Sequence, residues 1–458
     1  MGSYGRCLLA VLLLAASCSP QTTAQNRGFD PYLQGASEIE EAQTDWLDDE
    51  ERRGQLEELL ANPLGMKQAL EVALLNNPGL QADLAEVDIR EGTLRQDAAI
   101  ANPDLHSEFY IYGPDSSELY RVEASLEFDL TSVLGRAARI RATREGVEAS
   151  RVQAAGRILD FADEVRRAWI YHVAARHFLE HQEQINQAAE AAAETAQIYH
   201  DAGNLADDEL YRILTFAAEA REELFRAQAD AGDHRDKLAL LLGLPVDGNW
   251  STPGQLAQPP EESPLVHQLE DQAIERSTLL QQLESEGQRQ RALASASRWD
   301  GWLPALRLGA IADWREGEVE MGPTLGVAIP IFDRRGAERD AIRARQIQLD
   351  FQRDQQINRI RTFSARVTRR LQQSRSLAMH YGEEVLPLRE RVVEESLRQY
   401  NAMNIGVFEL LDARRAHLEA EADYVEALRD FWLASADYEH LVAGGTSGAD
   451  QAFGDAEH

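Results

Sequence analysis

The chain has 458 residues, a net charge of −32 and 44% hydrophobic residues, enough for two or three average domains or one elongated one. The acidic balance argues against nucleic acid as a partner, because phosphate binding needs clustered Lys and Arg. Mean hydropathy is negative, and no apolar run approaches the ~20 residues that a transmembrane helix needs.

Residues 1–17 have the form of a signal peptide. Arg6 precedes an apolar run from Cys7 to Ala16, which closes in Ala15-Ala16-Ser17-Cys18. A cysteine directly after small residues resembles a bacterial lipoprotein signal, with Cys18 as the lipidated first residue, although Ala15 stands where Leu is the stronger choice. Cleavage there removes Cys7 and leaves one cysteine, which cannot form an internal disulfide; lipidation gives it a role. Residues 18–62 form a polar, acidic leader with the run Asp48-Asp49-Glu50-Glu51.

From Pro63 the pattern turns helical, breaks at Pro78-Gly79 and resumes to about Ile100. Two strand-like segments follow. Tyr120, Val122, Ala124, Leu126, Phe128 and Leu130 alternate with Arg121, Glu123, Ser125, Glu127 and Asp129, and Leu105–Tyr112 precedes them across Gly113-Pro114-Asp115. A second pair comes later, with Leu306, Leu308, Ala310, Ala312 and Trp314 on one face, then Val319, Met321, Leu325, Val327 and Ile329. Each segment has the length of a tilted strand crossing a bilayer, ~9–11 residues. Both pairs lead into long Ala-, Glu-, Gln- and Arg-rich helical stretches, Gly135 to Tyr199 and Gly336 to Tyr400, the second interrupted only by Pro387. At 1.5 Å per residue each is a rod on the order of 100 Å long.

The halves align. Pro103 and Pro304, Gly135 and Gly336, Tyr199 and Tyr400, and Gly243 and Gly444 are each 201 residues apart, which marks an internal duplication. The expected division is a first repeat over 63–244 (strands about 103–130, rods 135–243), a connector over 245–264 and a second repeat over 265–444 (strands about 304–332, rods 336–443). A flexible tail follows over 445–458. The last helical stretch carries three lanes of seven-residue period: Leu410, His417, Tyr424, Phe431, Tyr438; Ala413, Ala420, Ala427, Ala434, Leu441; and Leu411, Leu418, Val425, Trp432. Two seams on one helix mean a neighbour on each side, as in the wall of a bundle or tube. The remaining face is acidic: Glu409, Asp412, Glu419, Asp423, Glu426, Asp430 and Asp437.

Four amphipathic strands cannot close a barrel, and an open sheet edge is not tolerated in hydrocarbon. Three copies would supply twelve strands, within the range of outer-membrane barrels. From about Pro63 to Gly444 the chain resembles the TolC-like outer-membrane efflux proteins, in their lipoprotein subtype. The features that carry the likeness are the duplicated strand-pair-plus-rod, the LLLG that ends the first half, and the stretch GVFELLDARRAHLEAEADYVEALRDFW. The resemblance implies a mainly α fold with a membrane β-barrel: four strands per protomer complete a 12-stranded trimeric barrel, continued by a long α-helical coiled-coil barrel. It also implies a lipid-anchored location in the outer membrane of a Gram-negative bacterium, a homotrimer, and a periplasmic adaptor and inner-membrane pump as partners. The function implied is the exit duct of a tripartite efflux system.

In that family the periplasmic end is narrowed by acidic rings in a pattern like V-D-V-L-D-A. The matching residues here are Phe408-Glu409-Leu410-Leu411-Asp412-Ala413, with Glu for the first Asp, so Glu409 and Asp412 are the candidate gate. Solvated charges favoured by the helix dipole are the bland alternative. The tips, Asp201-Ala202-Gly203-Asn204-Leu205 and Met403-Asn404-Ile405-Gly406-Val407, place a glycine where the chain reverses, and the resemblance turns them toward the adaptor. Gly203, Asn204, Leu205, Ile405, Gly406 and Val407 are the docking candidates. The second tip runs two residues longer from Tyr to Gly, so the halves need not dock alike. His177-Phe178-Leu179-Glu180-His181 fits H-x-x-E-H, an inverted zinc-protease pattern, but it lies mid-rod with no third ligand in view, so surface histidines are expected. No enzyme, cofactor or metal site is expected. The acidic face suits cations, and the YNAM-IG-F-LL tip resembles that of ducts associated with metal resistance, copper included, so the resemblance implies a heavy-metal cation as cargo over drugs, dyes or proteins. The competing reading is a periplasmic coiled-coil adaptor or envelope scaffold without a pore.

Overall fold

The structure is a computed structural model that describes residues 33, 49–112, 120–260, 268–302, 305–315, 318–332 and 334–445. Cys18, the signal segment and the tail after Gly445 lie outside the described residues. Among these, three helices lead the chain: α1 (Asp49–Leu60), α2 (Met66–Asn76) and α3 (Pro78–Asp97). Strands β1 (Asp104–Ile111) and β2 (Tyr120–Asp129) follow, then the long α4 (Arg136–Asp201) and α5 (Asp207–Leu242). The second half repeats the order with α6 (Leu269–Arg276), α7 (Thr278–Trp302), β3 (Leu306–Arg315), β4 (Glu318–Val327), α8 (Gly336–His380), α9 (Leu386–Asn401) and α10 (Val407–Ala443).

The four strands make one antiparallel sheet in the order β1-β2-β3-β4. Register carries the sequence alternation across all four. Leu105, Leu126, Ala310 and Pro323 share one row, and Phe109, Val122, Trp314 and Val319 share another. That face is apolar but for Ser107, which lies opposite Ala124, and it is open: Leu105, Phe109, Met321 and Leu325 are all exposed. The opposite face carries Glu108, Glu123, Asp313 and Glu320 in one row, with Arg121 linking Asp313 (2.7 Å) and Glu123 (3.0 Å). Pro323 lies in β4, an edge strand, where a missing N–H is tolerated.

A single π-turn, Tyr381–Val385, joins α8 to α9, so the second rod runs unbroken over 336–401, the same length as α4. It lies directly before Pro387, whose ring cannot follow a regular α-helical turn. The core runs along α4, with Ile158, Ala162, Val165 and Ile170 packed against α2, the end of α5 and α10. Helix α10 packs on α4 on one side and on α8 and α9 on the other. Ala420, Ala427, Ala434, Leu418, Val425 and Phe431 are all buried, so two of its faces are covered. Asp437 departs from the expected acidic outer face. It is buried and bonded to Arg167 of α4, which also holds Asp163 at 2.7 Å.

Both rod pairs end on the same device. Gly243 caps α5 in the left-handed conformation (φ 66°), and Gly444 caps α10 likewise (φ 95°). The break between α2 and α3 receives the first: Asn76 Nδ2 donates to Gly243 O (2.8 Å) and Asn77 Nδ2 to Leu241 O (2.9 Å), while Asn77 Oδ1 accepts from Leu80 N and caps α3. The break between α6 and α7 receives the second, with Thr278 N and Oγ1 donating to Gly444 O at 3.0 and 3.1 Å. The carbonyls left over at each helix end are thereby satisfied. A methyl on Gly243 would lie 2.6 Å from Asn76 O and would also strain the left-handed backbone. Gly243→Ala is expected to destabilise the folded chain by about 1–3 kcal/mol, read as a lowered thermal midpoint of helical circular dichroism; an unchanged midpoint would rule the latch out.

Candidate functional site at the rod tips

The two tips are built alike. Helix α4 ends at Asp201 and α9 at Asn401; Ala202 and Ala402 follow, then the left-handed residues Gly203 (φ 76°) and Met403 (φ 59°). The hydrogen bonds match residue for residue: Gly203 N to His200 O and Asn204 N to Tyr199 O in one tip, Met403 N to Tyr400 O and Asn404 N to Gln399 O in the other. Gly406, expected to serve the reversal, is instead the extended N-cap of α10 (φ −80°, ψ 172°), as Ala206 is for α5. The tips are therefore of equal length, and the longer second tip suggested by the Tyr-to-Gly spacing is not present. Tyr199 and Tyr400 are not equivalent positions: two hundred residues, not 201, relate the tips.

Leu205 is half-buried against Ala196, Leu210 and Ile213, and so anchors the first tip from inside. Gly203 and Asn204 are exposed, as is Gly406, while Ile405 and Val407 are half-buried. The first tip is also tied by His200, whose Nε2 lies 2.8 Å from Asp207 Oδ1. The Asp207 contact, opposed by partial desolvation and helped by Asp201, raises the His200 imidazole above its ordinary value.

Glu409 and Asp412 lie one turn apart on α10 and are both exposed. Glu409 belongs to the first turn of α10, where a carboxylate is favoured by the unpaired N–H groups. Its carboxylate folds back over the helix start, since a methyl on Gly406 would meet Glu409 Oε2 at 2.9 Å. One turn further on, Arg415 pairs with Glu419 at 2.7 Å and reaches toward the Phe216 ring of α5. Glu419 foremost, with Glu219 and Asp412, holds the Arg415 guanidinium above its ordinary value. Asp412 thus has a cation of its own chain nearby, and Glu409 has the helix end. Superposing tip on tip pairs Glu409 with half-buried Glu209 and Asp412 with exposed Arg212. The three acids Asp207, Asp208 and Glu209 in the first turn of α5 were not singled out from the sequence. Counting from the tip residues instead of the tyrosines would have found them.

The rods are held together above the tips by buried charge. His440 of α10 is 1% exposed, with Nε2 3.3 Å from Asp160 of α4 and its ring covered by Gly445.

No family model matches the chain. It is 27% identical over 392 residues to the cobalt-zinc-cadmium resistance protein CzcC of Cupriavidus metallidurans, covering 83% of this chain and 90% of that protein. Among solved structures it is similar to CusC, described for transmembrane channel formation (TM-score 0.66, 16% identity, 83% of this chain and 92% of that one). It is similar also to the outer membrane protein VceC of Vibrio cholerae (TM-score 0.66, 15% identity, 86% and 97%). The MtrE outer membrane channel of Neisseria gonorrhoeae gives a TM-score of 0.65 at 16% identity, over 83% and 89%. The fold is that of the trimeric TolC-like outer-membrane channels. The chain is thus similar in sequence to a curated cobalt-zinc-cadmium resistance protein and in fold to outer-membrane channels.

Burial works against a charge on His440, but Asp160 and Asp163 outweigh it and Arg167, raising the imidazole above 6.5. The stability this gives is present in full below the unfolded value and lost as pH climbs through the raised one. The thermal midpoint is expected to fall as pH rises past the ordinary imidazole range, and His440→Gln to flatten that fall; identical slopes would refute the assignment.

Proposed function

We propose that three copies of this chain form the exit duct of a tripartite efflux system in the outer membrane, fed by a periplasmic adaptor and an inner-membrane pump. The observation that carries this reading is the four-stranded sheet. One face is apolar but for Ser107 and is exposed, the other is largely charged, and both edge strands are open among the described residues. A coiled-coil adaptor or scaffold has no use for such a sheet, whereas a barrel completed by neighbouring copies uses both faces and both edges.

In this reading Cys18 is the lipidated residue that anchors the chain after loss of residues 1–17. Glu409 and Asp412 line the periplasmic end as two stacked carboxylate rings, a construction that favours cations. The exposed tip residues Gly203, Asn204 and Gly406, with Ile405, Val407 and Leu205 behind them, meet the adaptor. The two tips share one backbone course, which supports similar docking of both halves. Transition-metal cations are the favoured cargo, supported by the acidic rod face and by the likeness to a cobalt-zinc-cadmium resistance protein.

Purified in detergent, the protein is expected to run as a trimer and to open cation-preferring conductances in planar bilayers. A water-soluble monomer after Cys18→Ser would favour the scaffold instead. Glu409→Gln together with Asp412→Asn is expected to reduce the cation-to-anion permeability ratio several-fold while leaving the trimer intact; unaltered selectivity would remove these residues from the gate. Cells lacking the chain are expected to lose tolerance to zinc, cobalt or cadmium salts.

A further inference from the structure

The H-x-x-E-H segment is not on the surface. His177 is 8% exposed and His417 of α10 is 9% exposed, while the side chains of His181 and Glu421 are 15% and 28% exposed. One turn apart on α4, His177 and His181 turn Nε2 to Nε2 at 3.2 Å, their rings tilted by 42°. Glu421 reaches across from α10. One of its oxygens lies 3.4 Å from His181 Nδ1 and the other 3.3 Å from His417 Nε2. A chain of four groups, His177–His181–Glu421–His417, thus crosses the seam between the two helices. Nδ1 of His177, of His181 and of His417 has no hydrogen-bond partner among the described residues, so Glu421 meets His181 as a charge contact and not as a hydrogen bond.

Two neutral imidazoles facing each other through Nε2 can share either a proton or a metal ion. Nitrogens each about 2.0–2.1 Å from a tetrahedral zinc-class ion stand about 3.3 Å apart, close to the gap found here. The Glu421 carboxylate stands 3.4 Å from His181 Nδ1, and its charge favours the proton on that nitrogen and the lone pair on Nε2.

We propose that His177 and His181 bind a divalent cation of the zinc or cupric class in the wall of the rod, with Glu421 of α10 as the residue that positions His181 and His417 as the residue that holds Glu421. Among the described residues no three such groups gather at one point, so the protein offers two nitrogens and the remaining positions on the ion fall to water. Such a site exchanges its ion readily, and the partly exposed Glu421 edge gives the ion a way in. Because the positioning carboxylate comes from the second helix, an ion here also ties α4 to α10. The site stands on this geometry alone and does not require that metals be the cargo.

The test uses the full-length, chelator-stripped protein in detergent with cupric ion and zinc as probes. Electron paramagnetic resonance is expected to show one cupric ion per chain with hyperfine splitting from two imidazole nitrogens, absent in His177→Gln and His181→Gln. Zinc competition against a chromophoric chelator is expected to show affinity lowered about tenfold in Glu421→Gln and by less in His417→Gln. Zinc is also expected to raise the thermal midpoint of the unaltered protein, a readout that holds even if a variant misfolds. Retention of the two-nitrogen signal in the folded double variant would overturn the proposal. So would an unaltered protein that neither takes up zinc nor gains stability from it, because the pair is then only hydrogen-bonded. Neither result touches the conductance or trimer measurements on which the duct reading rests.

Discussion

Unpaired backbone at the edges of a four-stranded sheet is the constraint on which this molecule turns. In water an open edge is a hazard; in hydrocarbon each unsatisfied N–H or C=O costs several kcal/mol. The sheet here has an apolar face that water does not suit, and among the described residues β1 and β4 each have one edge without a strand beside it. In the proposed duct, copies of the chain close the sheet, and the helices follow from that closure. Strands placed around a ring must continue into helices placed around a ring. A helix in such a wall has a neighbour on each side, as α10 has in α4 and in α8 with α9.

The duplication shows how one chain supplies two such units without two separate cores. Each half ends its second rod on a left-handed glycine laid against the break in its own first helix pair. The side chains differ, two asparagines in one half and an arginine and a threonine in the other, but the task is the same: donors must reach the last carbonyls of a helix that has run out of turns. The identity of the latch residues is free while their position is not. This explains why the repeat is plainer in the structure than in the letters.

Much of the architecture was legible because its signals are periodic. Alternation over ten residues fixed the strands and their lipid-suited face, and lanes of seven fixed the two seams of α10. What periodicity cannot give is the partner of a single polar residue. Asp437 shares its lane with surface acids and is told apart only by Arg167, which is 270 positions away in the chain. His177 and His181 looked like surface residues for the same reason, since the helix that covers them lies more than two hundred residues downstream. The tips were misaligned because two tyrosines happen to stand 201 apart, whereas the turn is set by the left-handed residue, and Met403 in that conformation carries no sequence signal.

The buried polar groups between α4 and α10 answer a question that the apolar seam leaves open. Ala420, Ala427 and Ala434 recur every seven residues, so sliding α10 by one heptad would return alanine to alanine at little loss of packing. The same slide would carry Asp437 away from Arg167, His440 from Asp160 and Glu421 from His181. A buried charge stripped of its partner costs about 3–5 kcal/mol, so the loss of Arg167 by Asp437 alone exceeds what the repeating lanes could recover. The apolar lanes hold the rods together. The polar pairs decide at which level they are held, and thereby set how far the tips of α9 and α10 project relative to those of α4 and α5.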